Sequence, residues 1–105
     1  MDEKAFALDF AVKAANLTRF LKDEKNEHTI SSVFFTASSD LSALVYSFKN
    51  PALSKADAAQ LKKDAALLSN RIVFLLDMLF EMGFISRAQR ESVLKTLDAL
   101  KKNIH

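Results

Sequence analysis

The residues of this chain that could do chemistry are two histidines, a cluster of serines and a scatter of carboxylates, and none falls into a working arrangement. His28 and His105 each lack a partner one or two helical turns away that would complete a metal pair. Asp40, Asp64 and Asp77 are dispersed, and no Glu-x-x-His pattern of the di-iron bundles occurs. Ser31, Ser32, Ser38, Ser39, Ser42 and Ser47 crowd one stretch, but no Gly-x-Ser-x-Gly turn or base accompanies them. With a single glycine the chain has no material for a phosphate-binding loop. Without cysteine it cannot build a disulfide, an iron–sulfur site, a thiol nucleophile or the common zinc modules. We therefore expect no catalytic residue, no metal ligand and no cofactor, and no enzyme.

One group of charges could act together. The formal net charge is +2, and residues 86–105 carry five basic against two acidic groups, whereas residues 1–28 carry five against six and residues 29–85 five against five. Arg87, Arg90, Lys101 and Lys102 would form a thin positive edge, which an oligomer would repeat, and phosphate binding scales with the number of cations presented together. RNA or DNA held there would be bound electrostatically, with weak sequence preference.

The elements that must position these residues are helical. One Gly and one Pro in 105 residues leave little turn material, and half the residues are apolar, so a single folded domain spanning 1–105 is expected. Ala7, Phe10, Ala14, Leu17 and Leu21 recur at spacings of three and four and predict a first helix over about 3–22. Ile30, Phe34, Ala37, Leu41, Leu44 and Phe48 predict a second over about 27–49, with an acidic first turn and an end set by Asn50-Pro51. Ser54 and Asp57 form a capping-box spacing that opens a third helix over about 55–82, whose stripe runs Ala58, Leu61, Ala65, Leu68, Ile72, Leu75, Leu79, Met82. Gly83 ends it. Ser86 with Gln89 opens a fourth helix, about 87–103, carrying Val93, Leu97, Leu100 and Ile104. Short connections force neighbours to run antiparallel, so the fold class is all-α, an up-down-up-down four-helix bundle.

The stripes leave apolar residues over. Residues 72–82 are apolar at nine of eleven positions, more than one face of a bundle helix needs. Val33, Phe35, Val45 and Tyr46 on helix two, and Val73, Phe74, Leu76 and Phe80 on helix three, form a candidate oligomer interface, since a contiguous patch of that kind is rarely left in water. No apolar run approaches the roughly 18 residues of a membrane span, and the N-terminal Met-Asp-Glu-Lys is acidic where a secretory signal is basic, so a soluble, cytoplasmic protein with no membrane partner is expected. The sequon Asn16-Leu17-Thr18 falls within a helical pattern and is set aside.

Asp9-Phe10-Ala11-Val12, the run Leu17 to Leu21 with its charged Lys22-Asp23-Glu24-Lys25 turn, Ser54-Lys55-Ala56-Asp57, and Leu75 to Ile85 ending in Glu81-Met82-Gly83-Phe84-Ile85 together resemble a family. It is that of the small bacterial four-helix-bundle proteins encoded in intervening sequences of 23S ribosomal RNA genes. The resemblance covers roughly residues 5–85 and implies a homopentameric ring of bundles with no known catalysis. Relatives include the accessory proteins of diversity-generating retroelements, which look like basic barrels that bind nucleic acid and partner with a reverse transcriptase. The chain departs from the family at Thr36-Ala37-Ser38-Ser39-Asp40-Leu41, Leu44 and Ser47, and has Leu68 and Arg71 where the family carries glutamates. These departures remove polar groups and leave the bundle's shape. We expect a scaffold or adaptor that self-associates, with an accessory nucleic-acid-binding protein as the alternative and another protein as a third kind of partner.

Overall fold

The computed structural model describes residues 3–48 and 50–102 and contains four helices: α1 (Glu3–Glu24), α2 (Ile30–Ser47), α3 (Lys55–Glu81) and α4 (Arg87–Lys102). α1 packs on α2 and α4, and α3 packs on the same two, which closes an antiparallel four-helix bundle with α1 diagonal to α3. The long axis of 43 Å matches α3, whose 27 residues span roughly 40 Å at 1.5 Å each. The expected ends at Lys49 and residue 103, and the residues Ile104 and His105, lie outside the described residues.

Local chemistry explains the boundaries. At the start of α3 the Ser54 hydroxyl accepts from the Asp57 N–H at 3.0 Å. Its end is a Schellman motif, in which Gly83 at φ 81° allows Phe84 N–H to reach Leu79 C=O at 2.9 Å and Gly83 N–H to reach Phe80 C=O at 3.0 Å. Ser86 and Gln89 then cap α4 reciprocally, Ser86 N–H donating to Gln89 Oε1 at 2.8 Å and Gln89 N–H to Ser86 Oγ at 3.1 Å.

The start of α2 differs from expectation. The helix begins at Ile30 rather than near residue 27, and its first turn holds no acid. Asn26 turns the chain at φ 52°, a conformation asparagine tolerates, and Glu27 stays outside the helix. From there its nearly buried carboxylate accepts from Thr29 N–H at 3.3 Å and Ser31 N–H at 2.7 Å, so the acid serves the orphan amides by folding over them.

The core contains the whole α1 stripe, Ala7, Phe10, Ala14, Leu17 and Leu21, together with Val93, Leu97 and Leu100 of α4. On α2 the buried line is Ser31, Phe34, Ser38, Leu41 and Val45, flanked by Ala37 and Ser42. Ile30, Leu44 and Phe48, which the apolar spacing placed at its centre, are half-buried. The helix is turned because serine is small and can satisfy itself. Ser31 Oγ donates to Glu27 C=O at 2.8 Å and Ser42 Oγ to Ser38 C=O at 2.9 Å. α3 repeats the device with Ser69, which donates to Ala65 C=O at 2.7 Å, while Met82 of its expected stripe is exposed.

Candidate functional site

The surplus apolar residues separate into four places. Val45 and Leu76 correct the sequence-based grouping: both are 0 % exposed within one chain and belong to the core, because the serine-lined turn of α2 and the double leucine Leu75-Leu76 bring them inward. Val73 and Phe80 are partly buried against that core on the α4 side of α3. Phe80 is covered by two guanidinium groups, Arg87 at 5.9 Å and Arg90 at 5.8 Å from its ring centroid. Phe35 and Tyr46 are exposed on α2, and Tyr46 carries Lys4 of α1 at 5.0 Å over its ring, which puts it on the α1 flank. Val33 lines a hollow between α2 and α3, and Phe74 is exposed on the outside of α3.

The side between α2 and α3 is a groove. A cavity of about 540 Å³ lies between the helices, lined by Asp40, Ala43 and Leu44 of α2 and Leu67, Leu68 and Arg71 of α3. A smaller one of about 260 Å³ adjoins it, with Val33 and Thr36 at its rim and Asp40 and Arg71 in common. Leu67 and Phe74, seven residues apart and so on one face of α3, are 68 % and 63 % exposed. Asp64 closes the groove and accepts from Gln60 Nε2 at 3.0 Å.

The outer surface of α2 beside the groove is small and uncharged. Ser32, Thr36, Ala43 and Ser47 are exposed, and the three hydroxyls donate to carbonyls one turn back, at 2.7, 3.0 and 2.9 Å. Their protons are therefore engaged inside the helix. Leu67 escaped the sequence-based grouping although it stands in the sequence as an apolar residue off the α3 stripe, about 100° around the helix from Leu68.

The basic edge is not continuous. Arg90 donates from Nε to Asp77 Oδ1 at 2.8 Å, and its terminal nitrogens pair with Asp77 at 2.7 Å and Glu91 at 3.1 Å. The hydrogen bond to Asp77 pushes Arg90 above its ordinary value. Arg87, Lys101 and Lys102 are exposed. Arg87 and Lys101 lie fourteen residues apart, roughly 21 Å along α4. His28 is exposed and its ring bonds Asn26 Oδ1 at 3.0 Å, and no group of three or more His, Asp or Glu able to hold a metal occurs among the described residues. Among them, too, no helix is long and apolar enough to cross a membrane.

Fold and surface together define an all-α four-helix bundle with an open apolar groove along one side. Among solved structures the chain is similar to a protein of unknown function from the S23 ribosomal protein family of Bacteroides thetaiotaomicron VPI-5482, with 26 % identity and a TM-score of 0.90 over 97 % of this chain and 94 % of that one. A related helical family is thereby indicated, and no function comes with it. No family model matches the chain, and no curated protein does.

Proposed function

We propose that the protein is a non-enzymatic, cytoplasmic scaffold or adaptor whose copies assemble through the α2–α3 face, in the five-membered ring that the resemblance to intervening-sequence proteins implies. The observation that carries the reading is the pair Leu67 and Phe74, two large apolar side chains more than three-fifths exposed beside an apolar groove. Water around such a surface is released when a second protein covers it. The alternative, an accessory protein that holds RNA or DNA on α4, has less support, because Arg90 in the middle of that edge is already engaged by Asp77 and Glu91.

Absolute mass from light scattering coupled to size exclusion tests the proposal. The expected result is five times 11.7 kDa, with no nucleic-acid absorbance, and Phe74→Asp should bring it to a helical monomer. A wild-type monomer at high concentration would sink self-association, and a mass other than five-fold would sink the pentamer. Salt-sensitive, co-purifying nucleic acid would favour the α4 alternative.

A further inference from the structure

A different hollow lies between α1 and α4. It has a volume of about 350 Å³ and is lined by Lys13, Leu17 and Phe20 of α1 and by Gln89, Ser92 and Val93 of α4, among others. Small-molecule sites usually occupy roughly 300–1,000 Å³ and pair an apolar wall with a few polar groups. Leu17 and Val93, 6 % and 2 % exposed, give this one an apolar floor. Phe20, half-buried, stands seven residues from Lys13, roughly 10 Å along α1.

The polar groups around that floor are donors. Lys13 is half-buried, and its ammonium donates to Ser92 Oγ at 2.8 Å, which fixes it against α4 and leaves two of its three N–H groups. Ser92, accepting there, keeps its own O–H. Gln89 uses its side-chain oxygen to accept from Ser86 N–H at 2.8 Å and has its NH2 left to give. No carboxylate lines the hollow, and Lys13 is in no ion pair among the described residues. Asp9, one turn before Lys13, lines a neighbouring hollow with it, but Ser92, which holds the lysine nitrogen, lines only the first. Lys25, 5.9 Å from the centroid of the Phe20 ring, adds a second cation at that end.

We propose that the α1–α4 hollow binds a small monocarboxylate with an apolar body. The carboxylate sits on Lys13 Nζ beside Ser92, and the chain or ring lies over Leu17 and Val93 towards Phe20. One positioned ammonium among neutral donors matches one negative charge, whereas a phosphate dianion calls for further cations or an arginine fork.

Octanoate is the probe, with octylamine, octanol and acetate as controls, titrated into the ¹⁵N-labelled wild-type protein and followed by amide chemical shifts. Octanoate should move the amides of residues 13–20 and 88–93 in a saturating way, and each control, which reverses the charge, removes it or removes the apolar body, should bind about ten-fold more weakly or less. Lys13→Met keeps the apolar stem without the charge and should weaken octanoate by about ten-fold. If that variant loses its helical circular dichroism, octanol on the wild type puts the same question by taking the charge from the ligand instead. The proposal is overturned if octanoate gives no saturating shift, if any control binds as tightly, if folded Lys13→Met binds octanoate unchanged, or if the shifts fall on Leu44, Leu67 and Leu68 of the α2–α3 groove. Each of those results leaves self-association standing.

Discussion

Helices α2 and α4 sit diagonally in the same bundle, with 18 and 16 residues, and face the outside in opposite ways. α4 carries seven charged residues, Arg87, Arg90, Glu91, Lys95, Asp98, Lys101 and Lys102, while α2 carries Asp40 alone. An ordinary protein surface is roughly a quarter to a third charged. α4 exceeds that expectation and α2 falls far below it, although both bury one face against the same core. The difference shows where the bundle is finished against water: on α4 by ions and cation–π covers, on α2 by hydroxyls folded back onto their own backbone. A helix dressed as α2 is suited to contact with protein.

The largest effect that could break this comparison comes from two neighbouring residues of α3, the helix that shares the groove with α2. Leu76→Ala removes a fully buried side chain and should lower stability by about 2–5 kcal/mol, a fall in Tm of roughly ten degrees or more. Phe74→Ala, two positions away and exposed, should leave the unfolding of the monomer nearly unchanged while lowering the mass of the assembly. Equal Tm losses would mean that Phe74 is a core residue and that the groove face is not an interface.

A smaller effect sharpens how α2 begins. Its first amides rest on Glu27, which lies outside the helix, whereas α4 is capped by the reciprocal Ser86–Gln89 pair. Glu27→Ala should cost about 1 kcal/mol, by analogy with the loss of an N-cap. Urea denaturation gives the total, and faster amide exchange at Ser31 would locate it. Unchanged exchange there would mean that water replaces the carboxylate without loss.

The smallest expected effect concerns the inner face of α2. Ser38 Oγ is buried, and among the described residues it is the side-chain N or O left without a partner. Ser38→Ala should therefore be neutral or stabilising by up to about 1 kcal/mol, read from the urea midpoint. A loss of that size or more would show that the hydroxyl has a partner, such as a buried water, and that the serine line of α2 is fully satisfied.

How legible the molecule was depends on the kind of signal. The turn between α3 and α4 could be read residue by residue, because Gly83, Ser86 and Gln89 act within a few bonds of themselves. The α1 stripe was equally plain, since its apolar residues and its core residues coincide. α2 was misread by a fraction of a turn: Ser31 and Ser42 look polar in a list of residue types, but serine in a helix can engage its hydroxyl one turn back and enter a core, and Ser38 enters it by its small size. That rotation moved Val45 from the expected interface into the interior, and Leu76 moved with it because it faces the same space. Leu67 stood in the sequence as an apolar residue off the main stripe, yet only the packing showed which side of the bundle it lines.

The sequence by itself determined the four helices, the caps of α3 and α4 and the antiparallel order, because propensity, capping and short connections are local and additive. Only the tertiary structure decided which flank of each helix turns inward, that Arg90 is held by Asp77 across thirteen residues, and that an apolar groove opens between α2 and α3. Those outcomes depend on residues distant along the chain competing for one small core, and a rotation of a single helix by a fraction of a turn reassigns every side chain at its edge.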